Sequence, residues 1–166
     1  MLFRSTAHIE LSLVIGADGS LVKNGSSRGI SSTADRQHFL ALRRGFDAIV
    51  IGGQTARMEP YEKTPVPLII LSRSLAKHAN PKAVIWQCTP TEAIVRAVKE
   101  FGSHILIEGG PRLFRELLPL IQTIHLTITN NSGDSSRIDW REEFRNFTTD
   151  SREEHNDEIF LILKRK

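Results

Sequence analysis

The sequence predicts an α/β fold in which helices cover a largely parallel β-sheet. Strand-like apolar segments alternate with segments of helical pattern, and this alternation is typical of parallel sheets. Two of the apolar segments, 46–51 and 66–71, contain almost no polar residue, as expected for strands that are covered on both faces. We expect the final strand to add an antiparallel edge to the sheet.

Seven segments have the composition of strands. The first ends in Gly16-Ala17-Asp18-Gly19, which is a turn signal, and a polar loop at 130–136 separates the last two. In chain order, the predicted strands are residues 8–15, 46–51, 66–71, 83–87, 104–107, 121–129 and 158–163.

Three helices are predicted between these strands from their capping residues. The best-defined helix begins at Thr89, has Glu92 in the position that completes a capping box, and ends at Gly102. Its apolar residues recur at the spacing of one buried helix face. The other two predicted helices run from the Ser32 cap to Gly45 and from Pro111 through Leu118.

Length and composition exclude several classes of protein. A chain of 166 residues predicts one domain over residues 1–166, and 40% hydrophobic with 25% charged residues argues against disorder. The single cysteine, Cys88, excludes an internal disulfide framework and a zinc site built from several thiolates. No apolar segment is long enough to span a membrane and the N-terminal residues lack a signal-peptide pattern, so we expect a cytoplasmic protein.

The charge pattern argues against a nucleic-acid partner. The net charge is +3, but the basic residues are dispersed and aromatic residues make up only 7% of the chain. The one run of three basic residues, 164–166, follows a strand-like segment. We interpret this run as a solvated tail that protects an edge strand.

Two predicted strands end in the same pattern, a buried strand followed by two glycines. Gly52-Gly53 follow the second strand, and Gly109-Gly110 precede Pro111, which fits the first turn of a helix. Glycines let a ligand approach the backbone, helix N-termini favour anions, and ligands of α/β sheets bind beyond the carboxyl ends of the strands. Both turns are therefore candidate phosphate sites, although each also fits a purely structural turn and neither has a complete dinucleotide or P-loop motif.

The strand after the first glycine pair ends in Ser72-Arg73-Ser74. Arg73 lies about 20 residues beyond Gly53, where an arginine in a dinucleotide-binding fold suits the 2′-phosphate of NADP. Hydroxyls and a guanidinium are also good phosphate ligands. An exposed arginine with no ligand is the alternative, and the pattern favours NADP over NAD.

Four motifs follow one another along the chain: D-G at 18–19, G-S-S-x-G-I-S-S-x-A-D-R at 25–36, L-R-x-x-x-D-A-I-V-I-G-x-x-T-x-R-x-E-x-Y at 42–61, and E-G-G-P-x-L at 108–113. In order and spacing they resemble the pyrimidine reductase domain of the bifunctional riboflavin-biosynthesis deaminase/reductase, in particular the stand-alone members of that family. The resemblance covers about residues 9–129. It implies a dihydrofolate-reductase-like, three-layer α/β/α fold with a mixed, mostly parallel sheet.

The resemblance also implies an activity and a site. Members of the family are usually homodimers and use NADPH to reduce the ribose of 5-amino-6-(5-phosphoribosylamino)uracil to ribityl. Cofactor contacts are expected at Ala17, Gly52, Gly53, Thr55, Ser72, Gly110, Pro111, Arg112 and Leu113. The glycine turns and the segment after the third strand, described above, add Gly109 and Arg73 to these candidates. Substrate contacts are expected at Ser27, Arg43, Glu59 and Glu108.

Two of the substrate residues have expected roles. Arg43 would neutralise the substrate phosphate, and Glu108 would hydrogen-bond the pyrimidine or the ribose. Each residue also has a structural alternative, because a cation is stabilised at the end of a helix and a carboxylate is stabilised at its start.

Some positions depart from the family pattern and keep other functions open. Gly29 stands where many members have an aromatic residue, and between Tyr61 and Pro67 only Lys63 is available in place of the usual phosphate-binding arginine. Reduction of dihydrofolate or a related pterin, and binding of NADP without catalysis, are therefore the alternatives. The histidines show no metal-ligand spacing, so we expect no metal site.

Overall fold

The structure is a computed structural model that describes residues 7–166. In this range, strands and helices alternate through most of the chain. The strands are β1 (His8–Ile15), β2 (Ser20–Val22), β3 (Ala48–Gly52), β4 (Leu68–Leu71), β5 (Ala83–Trp86), β6 (His104–Glu108), β7 (Thr123–Ile128), β8 (Ser135–Arg137), β9 (Phe147–His155) and β10 (Glu158–Arg165). The helices are α1 (Thr33–Arg43), α2 (Gly53–Met58), α3 (Pro90–Glu100), α4 (Pro111–Leu117) and α5 (Trp140–Glu143), with a 3₁₀ helix at Ser27–Gly29.

Eight of the strands form one mixed sheet in the order β5-β4-β3-β6-β1-β7-β10-β9, and β2 pairs with β8. The pairs β5·β4, β4·β3 and β3·β6 are parallel, whereas β10 is antiparallel to both β7 and β9. The predicted α/β class with a mixed, mostly parallel sheet is confirmed. All seven predicted strands are present, with ends that differ by at most two residues.

The described residues group into two compact units. The first contains the residues up to Leu11 and Leu40–Ile121, and the second contains Ser12–Phe39 and Gln122–Lys166. The core of the first unit lies on β3, β4 and β6, whose apolar residues are almost completely buried. The core of the second includes Ile15, Leu21, Ile30, Leu126, Phe144, Phe147, Leu161 and Leu163. The single domain expected from chain length stays a prediction.

Side-chain caps explain where α1 and α3 begin. In α3, the Thr89 hydroxyl accepts a hydrogen bond from the Glu92 N–H (3.2 Å), and the Glu92 carboxylate accepts one from the Thr89 N–H (2.9 Å). Gly102 follows with φ +138°, a conformation that favours glycine. At the start of α1, the Ser32 hydroxyl accepts a hydrogen bond from the Asp35 N–H (2.9 Å), and the Asp35 carboxylate accepts one from the Ser31 hydroxyl (2.6 Å).

The C-terminal segment differs from its prediction. β10 lies between β7 and β9, so the interpretation of residues 164–166 as a solvated tail on an edge strand is wrong. Lys164 donates to the Thr123 hydroxyl (3.2 Å), and the Arg165 guanidinium lies 4.6 Å from the centre of the Phe147 ring. The strand at this edge of the sheet is β9, next to β10. Because its side chains are mostly exposed, β9 lacks the apolar alternation that identifies a strand.

A search of residues 7–166 for a helix with the length and hydropathy of a membrane span finds none.

Candidate functional site

The carboxyl ends of three neighbouring parallel strands, β4, β3 and β6, lie side by side. Gly52 of β3 pairs with Leu71 of β4, and Val50 of β3 pairs with Ile107 of β6. The Gly52-Gly53 turn therefore lies between the segment after β4 and the Gly109-Gly110 turn after β6. The chain proceeds from β3 to β4 and β5 on one side and returns to β6 on the other, so the strand order reverses at this point. Such switch points are where α/β sheets bind ligands.

The two glycines of the first turn have different surroundings. A Cβ atom at Gly53 would lie 2.8 Å from the Ser72 hydroxyl oxygen and 2.9 Å from its Cβ, so this position requires glycine for packing. A Cβ atom at Gly52 would meet no atom within 4 Å. Gly52 has extended backbone angles (φ −87°, ψ 167°) that any residue adopts, and it caps α2 without a side-chain hydrogen bond.

The second turn repeats this arrangement. A Cβ atom at Gly109 would lie 3.2 Å from Leu113 Cδ2 and 3.8 Å from Thr55 Oγ1, so the second turn lies against α2. A Cβ atom at Gly110 would meet nothing within 4 Å, and Gly110 caps α4 in an extended conformation (φ −76°, ψ 175°) without a side-chain bond. Packing and backbone angles therefore explain neither Gly52 nor Gly110, and at both positions the backbone is open to a ligand.

Arg57, on α2, is an additional cation close to the segment that follows β4. It is not among the site residues expected from the sequence. Its Nη2 donates to the Ser74 hydroxyl (2.5 Å), and its Nη1 lies 3.2 Å from the position of a Cβ at Gly53. The Ser72 hydroxyl accepts from the Ser74 N–H (3.2 Å), which orders this segment. Arg73 is exposed. The sequence signal for Arg57 is its place in the motif I-G-x-x-T-x-R, next to the last residue of α2.

Arg43 and Glu108 form a buried ion pair. Arg43 Nε donates to Glu108 Oε1 (2.9 Å) and Arg43 Nη2 donates to Glu108 Oε2 (2.8 Å), so the pair is bidentate. The Tyr61 hydroxyl also donates to Glu108 Oε2 (2.5 Å), and the Arg43 guanidinium lies 4.9 Å from the centre of the Tyr61 ring. Relative exposures are 4% for Arg43, 2% for Glu108 and 5% for Tyr61, so the whole cluster is shielded from water.

The electrostatics of this cluster keep both donors protonated. Burial, followed by the negative charge of Glu108, raises the pKa of Tyr61 well above its ordinary value of 10. Burial alone would lower the pKa of Arg43, but its hydrogen bonds and charge attraction to Glu108 outweigh burial and raise the pKa. The Arg43 guanidinium and the Tyr61 hydroxyl are therefore fixed hydrogen-bond donors to the carboxylate.

The other predicted site residues occupy varied positions. Glu59 is half-buried just after α2, and its backbone N–H donates to the Thr55 carbonyl (2.9 Å). On α4, Arg112 is exposed and Leu113 is buried. Ser27 begins the 3₁₀ helix of the second unit.

Gly29 lies in the same 3₁₀ helix. A Cβ atom at this position would lie 2.7 Å from Lys23 Cβ, so the fold has no room here for the aromatic residue that the family pattern suggested. Among residues 7–166, no group of three metal-ligating side chains comes together.

The chain matches a known family over most of its length. The model of the RibD C-terminal domain family matches residues 7–130. The chain belongs to this family. No curated protein matches it in sequence.

Two solved structures share the fold. A bifunctional diaminohydroxyphosphoribosylaminopyrimidine deaminase/5-amino-6-(5-phosphoribosylamino)uracil reductase from Thermotoga maritima matches with a TM-score of 0.73 at 14% identity, over 97% of this chain and 57% of that chain. A pyrimidine reductase-like protein from Corynebacterium diphtheriae matches with a TM-score of 0.73 at 19% identity, over 96% and 92%. This chain therefore spans somewhat more than half of the Thermotoga maritima protein. The predicted RibD-type, dihydrofolate-reductase-like fold is confirmed.

The Ala17 turn of the second unit is held by a charged cluster. The Asp18 carboxylate accepts hydrogen bonds from the Ser20 hydroxyl and, at 3.1 Å, from the Ser20 N–H, and Arg137 lies 3.3 Å from it. The Ser20 hydroxyl oxygen in turn accepts from the Gly133 N–H (2.6 Å). The pKa of Asp18 is lowered from 3.8 to about 2, mainly because its carboxylate accepts the hydrogen bond from the Ser20 hydroxyl.

Replacing Asp18 with Asn should lower the melting temperature in a pH-dependent way. The pKa of the carboxyl is lower in the folded state, so its stabilising effect is complete above pH 3.8 and is lost as the pH falls towards about 2. We expect the melting-temperature gap between wild type and variant to close over this interval. Asp150→Asn, on the exposed edge strand, is the control and should show no such gap. A gap of constant size down to pH 2 would contradict the assignment.

Proposed function

We propose that this chain is an NADPH-dependent reductase that transfers a hydride to the ribose of a pyrimidine ribotide, as in 5-amino-6-(5-phosphoribosylamino)uracil reduction. Membership of the RibD C-terminal domain family supports the reaction class. The observation that carries the proposal is the pair of open backbone positions, Gly52 and Gly110, at neighbouring strand ends of the sheet. Nothing in the packing of residues 7–166 calls for glycine there, whereas a ligand close to the backbone does.

The residues around these positions fit a nicotinamide dinucleotide. Backbone N–H groups at the starts of α2 and α4 would hold the pyrophosphate, and Thr55 lies between the two turns. Ser72, Arg73 and Arg57 would hold the ribose end with its 2′-phosphate. When bound, NADPH supplies the hydride. The protein would hold cofactor and substrate in line and exclude water.

On the substrate side we propose Ser27, Arg43, Glu59 and Glu108. Glu108 is 2% exposed and both of its carboxylate oxygens accept hydrogen bonds from Arg43 or Tyr61, so its contact with the substrate stays a prediction. Neutralisation of the substrate phosphate by Arg43 stays a prediction. We extend the proposal to a cytoplasmic homodimer, and light scattering during size-exclusion chromatography measures the oligomeric state.

One observation favours a second candidate, binding of NADP without catalysis. The position of Gly29 has no room for an aromatic residue, and Lys63 is the one cation between Tyr61 and Pro67. Following NADPH absorbance with the ribosylamino-pyrimidine and, separately, with dihydrofolate distinguishes the candidates. We expect oxidation with the pyrimidine ribotide. Oxidation with dihydrofolate alone would identify a pterin reductase, and binding without oxidation of either would identify the non-catalytic protein.

Gly110→Ala should weaken NADPH binding without unfolding the protein. The added methyl group would lie in open space, so the melting temperature should hardly change. In the complex the methyl group would occupy the space of the cofactor, and we expect the dissociation constant to rise by about tenfold.

The control for this variant is Gly45→Ala, after α1. Its methyl group would make an ordinary contact 3.5 Å from the Leu42 carbonyl oxygen, and NADPH affinity should stay the same. Unchanged affinity in Gly110→Ala, measured by calorimetry, would show that the turn has no ligand.

Arg73→Ala and Arg57→Ala should each weaken NADPH binding more than NADH binding, because only NADPH carries the 2′-phosphate. The loss of a charged hydrogen bond predicts a change of roughly tenfold or more for NADPH. Lys99→Ala on the exposed face of α3 removes the same charge elsewhere and serves as the control. Equal losses for both cofactors would count against this phosphate site.

A further inference from the structure

The buried cluster of Arg43, Tyr61 and Glu108 joins three separate parts of the first unit. Arg43 ends α1, Tyr61 lies in the segment between α2 and β4, and Glu108 ends β6. No buried side-chain nitrogen or oxygen among the described residues lacks a hydrogen-bond partner, so the cluster is fully satisfied. Burying an ion pair is costly, and well-packed apolar residues usually give equal or greater stability. Stability alone therefore gives little reason for this cluster.

The choice of residue at position 61 is also informative. The chain contains eight phenylalanines but one tyrosine, and this tyrosine lies in the apolar core of the first unit. A phenylalanine would fill the same core position. The distinguishing contribution of Tyr61 is its hydroxyl, which donates to Glu108 Oε2 at 2.5 Å.

Tyr61 closes a ring of contacts that includes both glycine turns. The Tyr61 N–H donates to the Glu59 carbonyl (3.1 Å), and the Glu59 N–H donates to the Thr55 carbonyl (2.9 Å) on α2. The Tyr61 hydroxyl reaches Glu108, which directly precedes Gly109. Gly109 lies next to Thr55, since a Cβ added at Gly109 would be 3.8 Å from Thr55 Oγ1, and this proximity completes the ring.

The segment that carries Tyr61 is also anchored from its other side. Asn80, which is 3% exposed, donates from Nδ2 to the Tyr61 carbonyl (2.9 Å) and to the Thr64 hydroxyl (2.9 Å). With its backbone fixed in this way, the Tyr61 hydroxyl has little freedom to follow a movement of β6. It therefore acts as a rigid link between the first turn and the second.

We propose that Tyr61 is a positioning residue of the cofactor site: its hydroxyl, through Glu108, fixes the spacing of the Gly52-Gly53 and Gly109-Gly110 turns. The inference rests on the proposed function, since it concerns the same two turns. Tyr61 itself does not touch the cofactor. Removal of the Tyr61 hydroxyl should therefore weaken the binding of NADPH and of NADH equally. Removal of a residue that contacts the 2′-phosphate should instead weaken NADPH binding more.

Tyr61→Phe tests the proposal, because it removes the hydroxyl and keeps the ring. We expect the dissociation constants of NADPH and NADH to rise by the same factor, roughly three- to tenfold. The control is Val66→Ala, which removes side-chain atoms packed against the same core and keeps the Tyr61 hydroxyl, Glu108 and the Val66 carbonyl that accepts from Thr64. It should lower the melting temperature and leave cofactor affinity unchanged.

Three outcomes of these measurements would overturn the inference. Unchanged affinity in Tyr61→Phe would show that the hydroxyl is only structural, while NADPH binding by wild type would leave the proposed function in place. An equal rise of the dissociation constants in Val66→Ala would show that any loss of packing weakens cofactor binding. Absence of NADPH binding by wild type would remove the proposed function and the inference together.

A spectroscopic measurement tests the network without any ligand. Because Tyr61 is the one tyrosine of the chain, the phenolate absorbance during alkaline titration reports on this residue alone. We expect ionisation well above pH 10 in wild type, since burial and Glu108 raise the pKa. Glu108→Gln should bring the pKa of Tyr61 closer to 10, because the variant lacks the negative charge of Glu108. Ionisation of the folded wild-type protein at about pH 10 would contradict the network and with it the positioning role.

Discussion

The parallel register of β3 with its two neighbours is the constraint on which the candidate site depends. Gly52 pairs with Leu71 and Val50 pairs with Ile107, so three chain segments leave the sheet at the same edge, directly beside one another. Side chains alternate between the two faces of a strand, so a slip of one residue would reverse them. The apolar residues of β3 are buried on both faces, so the close packing of their different side-chain shapes holds the register in place.

Within this frame, the four glycines serve two different purposes. Gly53 and Gly109 allow close packing, against Ser72 and Leu113, whereas Gly52 and Gly110 face open space. Packing brings the two turns together, and the open positions then give a ligand access to the backbone of both. The buried Arg43–Glu108 ion pair, whose charges balance, fixes the position of Glu108 directly before the second turn. If the proposed ligand binds here, the two turns are already in place before it arrives, which reduces the free-energy cost of ordering them on binding.

The sequence predicts well those features that depend on short-range patterns. Uninterrupted apolar segments predict the parallel strands, and Thr89 with Glu92 predicts the start of α3, because these signals lie within a few residues. β9 is missed because its mostly exposed side chains give no alternation, so pairing with β10 decides its structure. The hydrogen bond from Tyr61 to Glu108 joins residues 47 positions apart, and no local pattern encodes it. Sequence reasoning therefore identifies Arg43 and Glu108 as separate candidates but cannot show that they bind each other.

The central claim is that the adjacent glycine turns hold a reduced nicotinamide dinucleotide. An NMR titration of the isotope-labelled protein with NADPH tests it most directly, because each backbone amide reports on its own surroundings. We expect the largest shift changes on the amides of Gly52, Gly53, Gly109 and Gly110 and on the segment that begins at Ser72. Saturating NADPH that shifts other amides and leaves these unchanged, or that shifts none, would contradict it.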